Sequence, residues 1–166
     1  IRDRPNPRLK KTNADITIYE FFDYNCGYCK SVMQNIFNIY KKDKKVEIVF
    51  VEYPILSNSS LSAAIASLAA RNQNKYFEFH TKLMKHTGKI DDKLLLSFAE
   101  ELKIDTKKLK SDYSNEKLML IINKNREIAN RLNLRGTPAF IIGNKIYPGA
   151  MSEKDIEKAI ALERKR

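Results

Sequence analysis

The chain reads as an α/β fold in the order βαβ, a block of helices, then ββα. Three observations predict it. The β-branched and aromatic run Ile16 to Phe22 is followed by a helix-patterned segment and a second such run, Val46 to Tyr53. About 75 residues of helical periodicity come next. Two short strand patterns then flank Gly143-Asn144, a pair suited to a tight hairpin, ahead of a last helical pattern.

In chain order, Ile1 to about Asn13 is mostly polar, holds two prolines and shows no periodicity, so it reads as an extended arm or linker. Ile16 to Phe22 is a strand that ends at Asp23-Tyr24-Asn25. From Cys26 to about Tyr40, Val32, Ile36, Ile39 and Tyr40 recur at helical spacing, and Lys41 to Lys45 breaks the pattern. Val46 to Tyr53 is the second strand, closed by Pro54, which has no N–H for a sheet ladder. Strand, helix and strand in this order make a right-handed parallel unit.

The helical block opens with Leu61 to Arg71, rich in alanine. Tyr76 to His86 follows, with Phe77, Phe79, Leu83 and Met84 for burial and Gly88 to end it. Asp91 can cap a helix bearing Leu94, Leu95, Phe98 and Leu102, and Asp105 or Thr106 can cap a short one. Leu118, Ile121, Ile122, Ile128, Ala129 and Leu132 mark a longer helix interrupted at Asn125. Ala139 to Ile142 and Lys145 to Tyr147 form the hairpin strands, and Ser152 with Asp155 opens a final helix to about Glu163. The expected division is an arm over residues 1–13, a core over 14–57 and 134–166, and an inserted all-helical domain over 58–133.

At 166 residues the chain is long enough for one domain with an insertion, and 43% hydrophobic residues is ordinary for a globular fold. No apolar run approaches the ~20 residues that span a bilayer. The first residue is Ile1 rather than Met, which is read as loss of something upstream; a signal peptide, a pro-segment and a cloning boundary look alike from here. The net charge is +11, yet the basic residues are scattered among acids, as in Lys41-Lys42-Asp43-Lys44-Lys45. No helix-turn-helix, zinc finger or RNA-binding strand motif accompanies them, so nucleic acid is not an expected partner. Solvated helix faces account for the charge, and a basic surface suits anionic membranes or acidic partners.

Chemistry concentrates in Cys26-Gly27-Tyr28-Cys29, which holds the chain's only two cysteines at the junction of the first strand and first helix. Thiols three residues apart on a helix turn lie about 5–6 Å apart, near the separation a disulfide needs. The free N–H groups and dipole at the helix start favour a thiolate there. Other readings fit less well. A structural zinc site takes four ligands, and His80 and His86, the only histidines, lie far away and on different helix faces. Haem attachment needs histidine where Lys30 stands. A structural disulfide closing so short a loop removes little chain entropy. A redox-active pair is the expected role, with no metal and no cofactor beyond the Cys26–Cys29 disulfide itself.

Thr137-Pro138 opens the first hairpin strand. By itself it is equally an ordinary trans proline at a strand start or a cis turn. Beside the cysteine pair and the element order, the cis reading is preferred.

These residues carry a resemblance. Glu20-Phe21-Phe22-Asp23-Tyr24-Asn25-Cys26-Gly27-Tyr28-Cys29-Lys30, Tyr53-Pro54-Ile55-Leu56 and Gly136-Thr137-Pro138-Ala139-Phe140, with Gly149 beyond, resemble the DsbA-family thioredoxin-fold disulfide oxidoreductases. The resemblance runs from about Asp15 to the C-terminus, and the helical block falls where that family inserts a helical domain. Within the family the phrasing is most like the suppressor-of-copper-sensitivity C proteins and the alpha-proteobacterial DsbA-like isomerases. Some of these have an N-terminal oligomerisation stalk, which here would lie upstream of Ile1.

The resemblance implies that Cys26 is the exposed nucleophile and Cys29 the buried resolving thiol. Pro138 would be cis, with the Thr137 backbone pairing to an extended client segment, and Gly27 and Tyr28 would flank the bound client. Glu20 matches the family's buried acid, and a desolvated carboxylate with a raised pKa suits proton exchange with Cys29; a glutamate facing water at the strand edge is the alternative. Two departures stand out. Where the family often has a lysine near that acid, this chain has Val51 and Glu52, so the proton relay would differ. Gly27-Tyr28 also lacks the histidine of the strongest oxidant, which implies a less oxidising disulfide.

The expected function is therefore thiol–disulfide exchange on unfolded or misoxidised secreted proteins, in the bacterial periplasm or another oxidising compartment. A membrane redox partner would recycle the thiols. The reading leans towards an isomerase that is oligomeric only with residues upstream of Ile1. A monomeric oxidase and a redox-independent, chaperone-like binding module are the alternatives.

Overall fold

The structure is a computed structural model that describes residues 5–166; the first four residues of the expected arm lie outside the described residues. At its centre β2 (Ile16–Phe22) and β3 (Val46–Glu52) run parallel, in register from Ile16 opposite Val46 to Phe22 opposite Glu52. On the other side of β2 lies β4 (Ala139–Ile142), antiparallel, and β5 (Lys145–Pro148) closes the hairpin. Thioredoxin-fold topology with an inserted helical block is the result. The arm supplies a strand that its polar sequence gave no sign of: β1 (Arg8–Leu9) pairs antiparallel with β3, giving the order β1-β3-β2-β4-β5.

Both faces of the sheet are covered, which explains why the central strands are apolar at almost every position. Ile16, Ile18 and Phe22 of β2 join Val46, Ile48 and Phe50 of β3 in one cluster with α1 (Gly27–Lys42) and α7 (Glu153–Arg164). Tyr19, Phe21, Val49 and Val51 face the other way, against Ile128 and Ala129 of α6 (Glu116–Arg131). Strand alternation puts Glu20 and Glu52 on the first face, among apolar neighbours. The rest of the block comprises α2 (Asn58–Arg71), α3 (Tyr76–Lys85), α4 (Asp92–Glu101) and α5 (Thr106–Tyr113). Its core is continuous with that first face.

Caps set the helix starts. Asp91, Asp105, Asn115 and Ser152 each accept a backbone N–H with the side chain. The second helix starts three residues earlier than its alanine run suggests, because the Ser57 hydroxyl accepts from Ser60 N and caps it. Asn125 does not interrupt α6. It is buried in mid-helix, exchanges two hydrogen bonds with Asn6 at 3.1 and 3.0 Å, and donates to Glu52 O at 3.1 Å. Arg164 joins Asp15 and Asp43, fastening the end of α7 to the base of the sheet. Among the described residues no helix is long and apolar enough to cross a membrane.

Candidate active site

The β2–α1 junction places the cysteine pair. Asp23 ends the strand and organises the turn: its Oδ1 accepts Asn25 N at 2.8 Å, and its Oδ2 accepts Ile55 N and Leu56 N at 2.9 and 3.0 Å. Cys26 N donates to Asp23 O at 3.1 Å. Asn25 Nδ2 reaches the hydroxyls of Ser57, Ser59 and Ser60 at 2.8–3.0 Å. The turn is thus tied to the loop after β3 and to the start of α2.

Cys26 is the N-cap of α1 rather than its first residue, and both cysteines are free thiols. Its Sγ accepts from Cys29 N at 3.3 Å and its thiol donates to Thr137 O at 3.3 Å. The capping position turns the sulfur inward over the first turn, so Cys26 is only 6% exposed, more enclosed than the resemblance implies. The exposed residue of the motif is Tyr28, at 72%. Cys29 is fully buried, and burial, with the Cys26 sulfur beside it, pushes its thiol far above the ordinary range. The Asp23 backbone and the Thr137 hydroxyl pull the other way. The helix-start N–H of Cys29 is thus directed at the Cys26 sulfur.

The Thr137-Pro138 bond is cis, and Pro138 is buried beneath the pair. The Thr137 carbonyl faces Cys26, while Thr137 Oγ1 is buried with no partner in hydrogen-bond geometry. Glu20 faces the core, not water: it is 2% exposed, and desolvation raises its pKa from 4.5 to about 8. It lies between Phe50 and Phe140 in the sheet register. Gly27 is exposed beside Cys26 with open space where a side chain would start.

Two groups near the pair escaped the sequence reading. Lys30, noted only as the residue that is not histidine, donates its Nζ to His86 O at 2.7 Å. Partial burial lowers its pKa, while the charges of Asp23 and Cys26 support the ammonium form. Glu52, noted only as a departure, is wholly buried and accepts hydroxyls from Tyr24 and Tyr76. His80, discounted as a metal ligand, sits against Tyr24 in the same cluster. No group of three or more potential metal ligands occurs among the described residues.

The arrangement can do one kind of chemistry well. A sulfur at a helix start, a second sulfur buried behind it, a backbone carbonyl across from the first and a protonatable acid on the adjoining strand suit reversible dithiol–disulfide exchange.

Comparison with known proteins agrees. The thioredoxin family model matches residues 6–161. A probable disulfide bond formation protein D from Bacillus cereus is 28% identical over 172 residues, covering 95% of this chain and 78% of that protein. The crystal structure of a thioredoxin-like oxidoreductase from Silicibacter pomeroyi superposes with a TM-score of 0.95 at 35% identity, covering 99% of this chain and 95% of that one. The thiol-disulfide exchange protein alpha-DsbA2 from Wolbachia pipientis gives 0.90 at 30% identity, covering 98% and 89%. The catalytic domain of Proteus mirabilis ScsC gives 0.86 at 24%, covering 97% and 90%, a likeness of fold alone.

Proposed function

This chain belongs to the thioredoxin family as a thiol–disulfide oxidoreductase of the DsbA type, and from that premise we propose that it shuffles disulfides in secreted client proteins. The observation that carries the reading is the Cys26 sulfur, held between Cys29 N and the Thr137 carbonyl. In the shuffling direction the Cys26 thiolate attacks one sulfur of a wrong client disulfide and expels the other as a client thiolate. That thiolate attacks a second client disulfide. The thiolate so freed attacks the mixed disulfide and releases Cys26 unchanged, so no net oxidation occurs. If shuffling stalls, Cys29 resolves the complex: its proton passes to the carboxylate form of Glu20, its sulfur bonds to Cys26, and the client leaves reduced.

Cys26 is the nucleophile here, Cys29 the resolving thiol and Glu20 the proton acceptor. The Thr137 backbone, Gly27 and Tyr28 receive the client, and Pro138 shapes that receiving edge. Tyr28, with Leu56 at 54% exposure, gives the rim apolar character suited to unfolded chains. Gly27-Tyr28 in place of a histidine-bearing pair supports the isomerase direction, because less thiolate stabilisation makes a less oxidising disulfide. The setting is the bacterial periplasm or a comparable oxidising compartment, where a membrane redox partner keeps the pair in its working state. Extended upstream of Ile1, the protein forms an oligomer.

Parallel assays on scrambled and on reduced ribonuclease test the direction. Repair of the scrambled enzyme by an upstream-extended oligomer is the expected result. A monomer of the same extended protein that only oxidises the reduced enzyme would leave a DsbA-like oxidase in its place.

A further inference from the structure

Behind the turn that carries Cys26 lies a buried polar cluster that the exchange chemistry above does not use. The hydroxyls of Tyr24 and Tyr76 both donate to Glu52 Oε1, at 2.9 and 2.7 Å. Tyr24 Oη is also 3.0 Å from His80 Nδ1. With the tyrosine proton committed to Glu52, the network assigns that contact to a ring N–H donating to the tyrosine oxygen. Tyr24 lies in the turn two residues before Cys26, Glu52 ends β3, and Tyr76 begins α3 with His80 one turn further on. All four are buried, and the Tyr76 and His80 rings stack at 5.7 Å.

Burial opposes charge on both the carboxyl and the imidazole of the cluster. Burial raises Glu52 well above the carboxylate range, with the two tyrosine bonds only easing it, and burial lowers His80 to about 3. Glu52 Oε2 is buried without any partner. Its other oxygen is the shared acceptor of two buried hydroxyls that belong to different elements. The carboxyl thus holds Tyr24. Asp23 fixes the same turn from the other side, through Ile55 N and Leu56 N.

We propose that Glu52 is a positioning residue for thiol–disulfide exchange, fastening the Cys26 turn to the first turn of α3 by receiving Tyr24 and Tyr76 on a single oxygen. The inserted helices thereby help set the aim of the attacking sulfur. The proposal rests on the reading of Cys26 as the attacking thiol.

The test measures the single-turnover rate at which the reduced protein attacks a small aromatic disulfide, maps which cysteine reacts first, and follows thermal unfolding. Glu52→Met should slow attack about tenfold, in line with lost hydrogen bonds at a buried site, and lower the melting temperature, since two buried hydroxyls lose their acceptor. Glu52→Gln, which keeps an acceptor oxygen in place, should stay within about twofold of the parent, since that oxygen is all the tyrosines need. Tyr24→Phe should be slow as well, and the Tyr24→Phe/Glu52→Met double variant no slower than its slower parent, because both remove the same bond. Parental speed in Glu52→Met, equal slowness in the Met and Gln variants, or losses that multiply in the double variant would overturn the proposal. Should Glu52→Met not fold, Tyr24→Phe and Tyr76→Phe decide it: slowed attack supports it, and parental rates in both overturn it. First reaction at Cys29 in the parent would overturn the reading of the site and this proposal with it; first reaction at Cys26 with unchanged rates in the variants overturns this proposal alone.

Discussion

The thiol of Cys26 lies 3.3 Å from the carbonyl oxygen of Thr137, although 111 residues separate them in the chain. That contact joins the two ends of the core around the inserted helices. It also places a backbone edge beside the sulfur, the edge proposed above to receive a client strand.

The division of labour between the cysteines follows from this placement. Cys29→Ser should leave attack by Cys26 intact but remove the resolving sulfur, so mixed disulfides with unfolded clients accumulate and are visible on non-reducing gels. Cys26→Ser should abolish both turnover and trapping. Trapping through Cys29 in the Cys26→Ser variant would count against the assignment.

Glu20 gives a pH prediction with a definite sign. Its pKa rises from 4.5 to about 8 on folding, so between these values the folded chain keeps a proton the unfolded chain has released. The stability it contributes is full below pH ~4.5 and is lost as pH climbs through about 8, at up to about 1.4 kcal/mol per pH unit for one proton. His80 acts oppositely: its pKa falls from 6.5 to about 3, so its contribution is present above 6.5 and lost on acidification. Glu52 is shifted in the same direction as Glu20. Denaturant midpoints of the parent should therefore decline between pH 6.5 and 8, and Glu20→Gln should flatten the decline without removing it. The rate of resolution by Cys29 should lose its rise over the same range. An unaltered stability profile in Glu20→Gln would mean that Glu20 is not protonated in the fold.

Asp23 should prove costly to lose. Asp23→Ala deprives Asn25 N, Ile55 N and Leu56 N of their acceptors at a site only 1% exposed. Hydrogen bonds to a charged group contribute about 1.5–3 kcal/mol each, and water can reach part of this turn, so a loss of roughly 3 kcal/mol is expected. Chemical denaturation measures it, and a loss below about 1 kcal/mol would show that the loop has other anchors.

Thr137→Val tests the buried hydroxyl. Oγ1 has no partner while the cysteines are thiols, and an unsatisfied buried hydroxyl costs about 1–3 kcal/mol. The isosteric valine should raise the melting temperature of the reduced protein. It should also slow departure of Cys29 as a thiolate, because the hydroxyl favours that anion. Faster exchange in the valine variant would contradict the second half.

Much of this was legible in the residues themselves. β-Branched and aromatic runs and the Gly143-Asn144 turn marked the strands, and cap residues marked the starts of three helices. The cysteine pair announced its chemistry by position at a strand–helix junction. What the sequence hid was long-range. The pairing of Arg8–Leu9 with β3 leaves no pattern in two polar-flanked residues. Asn125 looked like a helix interruption because its partners, Asn6 and Glu52 O, are 119 and 73 residues away. The Tyr24–Glu52–Tyr76 cluster needed the inserted helices folded back onto the sheet before its members could be seen as neighbours. Ser57 and Asn115 were local signals passed over, caps three and two residues before Ser60 N and Lys117 N.

The short pairing of Arg8–Leu9 with β3 also bears on how the protein behaves in crowded solution. A bare β3 would offer a row of unpaired N–H and C=O groups to any passing strand. The arm occupies that row: Arg8 lies opposite Val49, Leu9 opposite Ile48, and Phe50 N donates to Pro7 O at 2.9 Å. At the opposite margin, Lys145 and Pro148 on β5 discourage recruitment, one by charge and the other by lacking an N–H. Both margins of the sheet are thus poor templates for aggregation with other chains.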